Sequence, residues 1–123
     1  MVISIYALMY YDIIYFMNEI FEKILNLISL GEIIISDHGY DELAEDGILV
    51  KDIMNTVING KVIEQYPEYH KGPCVLVLQK NKNGNPIHVV WGIPRNKSTP
   101  AVLITAYKPD PLIWDNTFMV RIK

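Results

Sequence analysis

Residues 74–92 read C-V-L-V-L-Q-K-N-K-N-G-N-P-I-H-V-V-W-G, and this stretch decides the fold. Cys74 to Gln79 is a nearly unbroken apolar run, which predicts a central strand covered on both faces. The turn K-N-K-N-G-N-P carries Asn83-Gly84, a strong hairpin signal. Ile87 to Gly92 is then the returning strand. On it Ile87, Val89 and Trp91 share one face, and His88, Val90 and Gly92 share the other.

Toward the C-terminus, the loop P-R-N-K-S-T-P leads to a third clear strand, Ala101 to Tyr107. The tail K-P-D-P-L-I-W-D-N-T-F is a turn with two prolines and a tryptophan anchor, and Met119 to Ile122 reads as one more edge strand. Toward the N-terminus, Lys61 to Tyr66 is a β-rich run closed by Pro67, and Pro67 to Pro73 is a loop. Leu49 to Asn59 predicts a helix with an apolar stripe of Ile48, Val50, Ile53, Met54, Val57 and Ile58, stopped at Asn59-Gly60. Ser36 to Ile48, S-D-H-G-Y-D-E-L-A-E-D-G-I, predicts a polar helix. Ser36 or Asp37 caps its free amides, Asp41 and Glu42 suit the positive end of the dipole, and Gly47 ends it. Glu32 to Ile35 reads as a short apolar link. Asp12 to Leu30 is an amphipathic helix carrying Ile13, Phe16, Met17, Ile20, Phe21, Ile24, Leu27 and Ile28 on one face, with Gly31 as its stop. Residues 1–11 stay open between a strand, a helical extension and a tail packed on a partner chain.

Helices first and antiparallel strands after them define an α+β fold. The N-terminal helices should pack on one face of a twisted antiparallel sheet of about four strands. The other face, left partly open, is where a site is expected. With 123 residues the chain is expected to be a single domain, residues 1–30 forming an apolar extension and 31–123 the core that bears the motifs. Asp12, Glu19, Glu22 and Lys23 interrupt every window of about 20 residues in the first thirty, so no membrane span is expected. With neither a basic n-region nor a small-residue cleavage site, no secretory leader is expected. A lone cysteine, Cys74, excludes an internal disulfide and fits a cytoplasmic location. The net charge of −3 argues against nucleic-acid binding driven by bulk charge. That deficit lies within residues 1–35, and the remainder is balanced, with its basic groups gathered toward the C-terminal half.

Three histidines are candidates for chemistry. His38 falls in the first turn of the polar helix, among amides that suit an anion, and serves there either as a surface group or as an acid/base. His88 lies within an apolar strand. If it pairs opposite Thr105, then His88, Thr105 and Tyr107 converge on the open sheet face as an acid/base group for a phosphodiester, whereas a one-residue slip separates them. The alternative is a cross-strand polar pair. His70, beside Lys71 and Gly72, reads as a solvated loop residue. Cys74 lacks the basic surroundings of a reactive thiol. No ligand spacing points to a metal site or a cofactor. Lys71, Arg95, Lys97, Lys108, Arg121 and Lys123 either line a nucleic-acid face or are ordinary surface charge.

The ordered motifs S-D-H-x-x-x-x-L-x-x-D-G-I, V-I-E-x-Y-P, G-P-C-V-L-V, P-I-H-V-V-W-G and I-T-A-Y-x-P-D-P-x-x-W, over about Ile35 to Trp114, resemble a family of small bacterial proteins classed as a domain of unknown function and regarded as toxins of toxin–antitoxin modules. By analogy the family joins the superfamily of barnase, EndoU, the colicin tRNases and RelE, metal-independent ribonucleases. The resemblance implies a cytoplasmic endoribonuclease that cleaves RNA through the 2′-hydroxyl. His38, His88, Thr105 and Tyr107 would be its catalytic residues, with Arg95, Lys108 and Arg121 binding RNA and no cofactor or metal. It also implies a cognate antitoxin, of zinc-finger type. Where relatives carry arginines, this chain has Glu42 and Asp46, which removes two phosphate-binding charges. The rival expectation is a non-catalytic binding module that docks a partner through the apolar N-terminal segment, and a homodimer formed through that segment is compatible with either.

Overall fold

The computed structural model describes residues 19–122, so the open reading of residues 1–11 and the start of the first helix lie outside the described residues. Residues 19–29 are helical and form α1. The helix ends as its glycine requires: Gly31 adopts a φ of 74°, and the Glu32 and Gly31 amides donate to the Leu27 and Ile28 carbonyls at 2.9 and 3.0 Å. Phe21, Ile24 and Leu27, one helical stripe, are buried in the core.

The chain then forms β1 (Ile33–Ile35), α2 (Asp37–Asp46), α3 (Val50–Thr56) with a closing 3₁₀ turn (Val57–Asn59), β2 (Lys61–Tyr66), β3 (Cys74–Lys80), β4 (Pro86–Gly92) and β5 (Ala101–Tyr107). The five strands make one sheet in the order β1-β5-β4-β3-β2. Neighbours from β2 through β5 are antiparallel, while β1 lies parallel to β5. The α+β architecture therefore stands, with one strand more than the sequence reading gave. Glu32 to Ile35 is not a link. Its backbone joins the edge of β5, where the Ala101 amide donates to Glu32 and the Ser36 amide to Leu103, each at 3.0 Å. Met119 to Ile122 is not a strand either. Those residues close a small hairpin held by a single bridge between Trp114 and Arg121.

The core fills one sheet face. Val75 and Val77 of β3, Ile87, Val89 and Trp91 of β4, and Ala101, Leu103 and Ala106 of β5 meet α1, Leu43 of α2, Ile48, and Ile53 and Val57 from α3 and its 3₁₀ turn. Ile58, placed in the apolar stripe by the sequence, instead points to solvent at 74% exposure, because the 3₁₀ turn rotates the last residues off the α-helical period. One polar side chain enters this face. Gln79 donates to the Ile53 carbonyl at 2.7 Å and to Thr56 Oγ1 at 3.2 Å, and accepts from the Trp91 indole at 2.9 Å. It ties α3 to the middle of the sheet and leaves no unpaired polar atom behind.

The polar helix α2 is explained by its contacts. Ser36 caps it by accepting from the Gly39 amide at 2.9 Å, while the Ser36 hydroxyl donates to the Ile104 carbonyl at 2.7 Å. Gly47 ends it at a φ of 64°, and Ile48 then folds back into the core. With so little apolar surface, α2 docks backbone to backbone. A Cβ on Gly39 would sit 3.0 Å from the Leu103 oxygen and 3.1 Å from that of Ile104. Among the described residues no helix is long and apolar enough to cross a membrane.

Candidate functional site

The second sheet face carries Cys74 and Leu76 of β3 and His88 and Val90 of β4, since residues two apart on a strand share a face. The register in β2 shifts between Val62 and Glu64, and this bulge sets Glu64 opposite Leu76 and Tyr66 opposite Cys74, on the same outer face. Across from β4, Tyr107 pairs with His88 and Thr105 with Val90. His88, Thr105 and Tyr107 thus share a face, but His88 faces Tyr107 and not Thr105; the pairing is shifted by two residues. Thr105 is half-buried.

The tail after β5 folds over this face. The Trp114 amide donates to the Asp110 carbonyl at 2.9 Å, and the Ile122 amide to Ile113 at 2.7 Å, making a short hairpin. Its Trp114 ring meets the His88 imidazole edge-on at 4.5 Å. The face expected to be open is consequently closed over His88, which is fully buried. His88 Nε2 lies 2.7 Å from the Phe118 carbonyl oxygen. A carbonyl only accepts, so Nε2 carries the hydrogen, and Nδ1 accepts from the Tyr107 hydroxyl at 3.3 Å. Burial pushes the His88 pKa below its ordinary value, against a smaller opposing effect of the Phe118 carbonyl. The imidazole is therefore neutral at neutral pH. Burial likewise raises the Tyr107 phenol and the Cys74 thiol.

Beside this sealed pair lies an accessible one. Arg121 grips Glu64 with two bonds, Nε to Oε2 at 2.7 Å and Nη2 to Oε1 at 3.0 Å, and its guanidinium stacks 4.6 Å from the centre of the Trp114 ring. The Tyr66 hydroxyl donates to Glu64 Oε1. Arg121 holds the Glu64 carboxyl below the usual carboxylate range, and burial together with Glu64 pushes the Tyr66 phenol up to about 12. An ionised carboxylate, a protonated phenol and a guanidinium thus meet at one point on the outer face.

A groove continues from this cluster toward α2. Tyr66, Tyr69, Cys74, Val90 and Ile104 line a hollow of about 260 Å³. Tyr69 and Ile104 also line a larger groove of about 320 Å³, where Val102 and Ile93 supply apolar floor and His38 and Lys71 supply polar rim. One wall of this groove depends on Gly72, at a φ of 132°: a Cβ there would collide with the Ile93 carbonyl and lie 2.7 Å from the Arg95 amide. That close approach fastens the loop carrying Lys71 to the loop carrying Arg95, whose amide donates to the Lys71 carbonyl at 2.9 Å.

The residues singled out from the sequence fall into separate groups. His38 is exposed at the start of α2, 3.5 Å from Glu42, and is not among the neighbours of His88. The Arg95 backbone is bonded to that of Lys71, which lines the groove, and Arg121 sits within the Glu64 cluster. Lys108 lines another hollow, with Asn81 and Pro109, and its amide donates to Asp46 at 3.1 Å. Asp46 is thus tied to the residue that follows β5, while Glu42 lies beside His38. Glu64 and Tyr66 were not singled out, although an acid and a phenol two apart on a strand must share a face.

A family model for a domain of unknown function, DUF4258, matches residues 35–108, and the chain belongs to that family. The match runs from the last residue of β1 through the end of β5, including Glu64, Tyr66 and His88, and stops short of the tail that supplies Trp114, Phe118 and Arg121. No curated protein and no solved structure matches the chain.

Proposed function

We propose that this chain is a metal-independent endoribonuclease whose reacting groups are Glu64, Tyr66 and Arg121, serving as the toxin of a toxin–antitoxin pair. The observation that supports the reading is the meeting of a carboxylate, a phenol and a guanidinium at the solvent-facing end of a groove. In this scheme the Glu64 carboxylate takes the proton of a ribose 2′-hydroxyl as the oxygen bonds to phosphorus. Arg121 turns from Glu64 to the non-bridging phosphate oxygens, where it offsets the charge that builds in the transition state. The bond from phosphorus to the 5′-oxygen breaks, and the Tyr66 phenol protonates the leaving oxygen. The products are a 2′,3′-cyclic phosphate and a 5′-hydroxyl. Glu64, now protonated and hydrogen-bonded to Tyr66, returns the proton and restores both groups. His88 has no free ring nitrogen and acts through the tail, holding Phe118 and with it the hairpin that carries Arg121.

The toxin role, the cytoplasmic location and a cognate antitoxin of zinc-finger type rest on the motif resemblance. The test incubates the full chain, with excess chelator, with a single-stranded RNA and with DNA of the same sequence. Cyclic-phosphate ends on RNA and intact DNA are expected. Glu64→Gln and Arg121→Gln should each lower kcat by about 10²–10⁴-fold with little loss in Tm. Cleavage of the DNA, or undiminished cleavage by Glu64→Gln, would sink the scheme. A second reading, the non-catalytic binding module, is favoured by the sealing of His88 and the mutual neutralisation of Glu64 and Arg121. Folded protein that leaves RNA intact at every condition would select it.

A further inference from the structure

We propose that the groove between the start of α2 and the loop at Tyr69 is a slot for one unpaired base of a single-stranded RNA, with the adjoining phosphate on Lys71. The proposal deepens the ribonuclease reading and rests on it for the identity of the polymer. Three features carry it. The floor is apolar and bounded by strand residues, Val102 and Ile104, with Ile93 alongside, a surface suited to a flat ring. Tyr69, 41% exposed, stands at its wall and offers an aromatic face to stack on. The rim carries a cation, Lys71, whose backbone is fastened to that of Arg95, and no carboxylate is among the residues that line the groove.

The slot is also continuous with the reacting cluster. Tyr69 and Ile104 line both it and the hollow that reaches Tyr66, whose hydroxyl contacts Glu64. A strand seated with one base on Tyr69 therefore has a path along the outer face to Glu64 and Arg121, where Tyr66 presents a second exposed ring. A paired base cannot enter, because its faces and its edge are occupied within the duplex. The substrate class is accordingly RNA that is single-stranded at the site of cutting.

The experiment measures fluorescence anisotropy of a labelled oligouridylate with full-length Glu64→Gln protein, and of the same strand annealed to its complement. In that background Tyr69→Ala should weaken binding about ten-fold or more, as expected for one lost base–aromatic stack, while Tyr69→Phe stays within about two-fold. Lys71→Gln should reduce the slope of log affinity against log salt by roughly 0.7. Equal binding by Tyr69→Ala and its parent, or equal affinity for single strand and duplex, overturns the slot. Matching melting temperatures of the variants exclude a folding artefact. The two proposals fail separately. Binding that depends on Tyr69 without any cleavage by the unsubstituted chain upholds the slot and removes the nuclease. Cleavage that depends on Glu64, with affinity and KM indifferent to Tyr69, does the reverse.

Discussion

Replacing Gln79 by leucine tests the description of the core most directly. Gln79 is 2% exposed and makes three hydrogen bonds, two as donor and one as acceptor. Leucine fills a similar volume, so the cavity contribution is small. The Trp91 indole N–H, fully buried, loses its acceptor, which costs about 1–3 kcal/mol of desolvation without compensation. The two donor bonds from Gln79 add about 1 kcal/mol each. Neither acceptor is orphaned, because the Ile53 carbonyl still receives the Val57 amide and the Thr56 hydroxyl still shares its one hydrogen between the Asp52 and Lys80 carbonyls. The extra apolar burial of leucine returns about 1 kcal/mol. The expected net loss is about 2–4 kcal/mol, or roughly 8–15 °C in Tm for a chain of this length. Urea unfolding followed by circular dichroism measures it, with an unchanged m-value confirming the same folded state. Trp91→Phe in combination should cost less than the sum of the two single changes, since the bond they share is lost only once. A urea midpoint indistinguishable from that of the unsubstituted chain would refute the reasoning.

Three further outcomes are expected. Burial holds the folded His88 pKa below 6.5, so the unfolded chain binds that proton more tightly. Stability should be full above pH 6.5 and fall as pH drops through that value toward the folded pKa, a slope that His88→Gln should reduce in urea titrations between about pH 7 and 5. Glu64, depressed below 4.5, loses its contribution only in the more acidic range as pH falls through its folded value, and so does not confuse the measurement. Gly39→Ala gains about 1 kcal/mol of helix propensity but forces a methyl against two β5 carbonyls, and a net loss of about 1–2 kcal/mol is expected in thermal melts. Ser36→Ala removes both the cap on the Gly39 amide and the bond to Ile104, and should lower stability by about 1–2 kcal/mol in the same melts.

The parts of the fold legible in the sequence are those that local chemistry specifies. β3 and β4 announce themselves as apolar runs joined by Asn83-Gly84, and α2 by Ser36 and Gly47, because caps and turns are set by residues within a few positions. β1 was missed for the opposite reason. Three isoleucines cannot show an alternation, and their partner in β5 is distant and parallel. Gly39 carried no signal, since its need for a missing side chain arises only when α2 meets β5. At the candidate site, the shared face of His88, Thr105 and Tyr107 was readable from strand periodicity, but the register was not, as a bulge between Val90 and Trp91 intervenes. The spacing of Glu64 and Tyr66 put them on one face, but the bulge between Val62 and Glu64 hid which face that was, and Arg121 could not be joined to Glu64 because the two are 57 residues apart.

The pairing of β1 with β5 also orders events during synthesis. The strands β2, β3 and β4 follow one another, and each can pair as soon as its neighbour emerges. β1 and the cap of α2 cannot, since Ser36 bonds to Ile104, 68 residues later. At about 5–20 residues per second of translation, β1 and the cap of α2 must wait several seconds for β5, with Ile33, Ile34 and Ile35 unpaired throughout. The described chain thus makes its edge first and seats it last. Contacts of such long separation are the slow ones to form, so this edge is where folding is most open to interception by another chain.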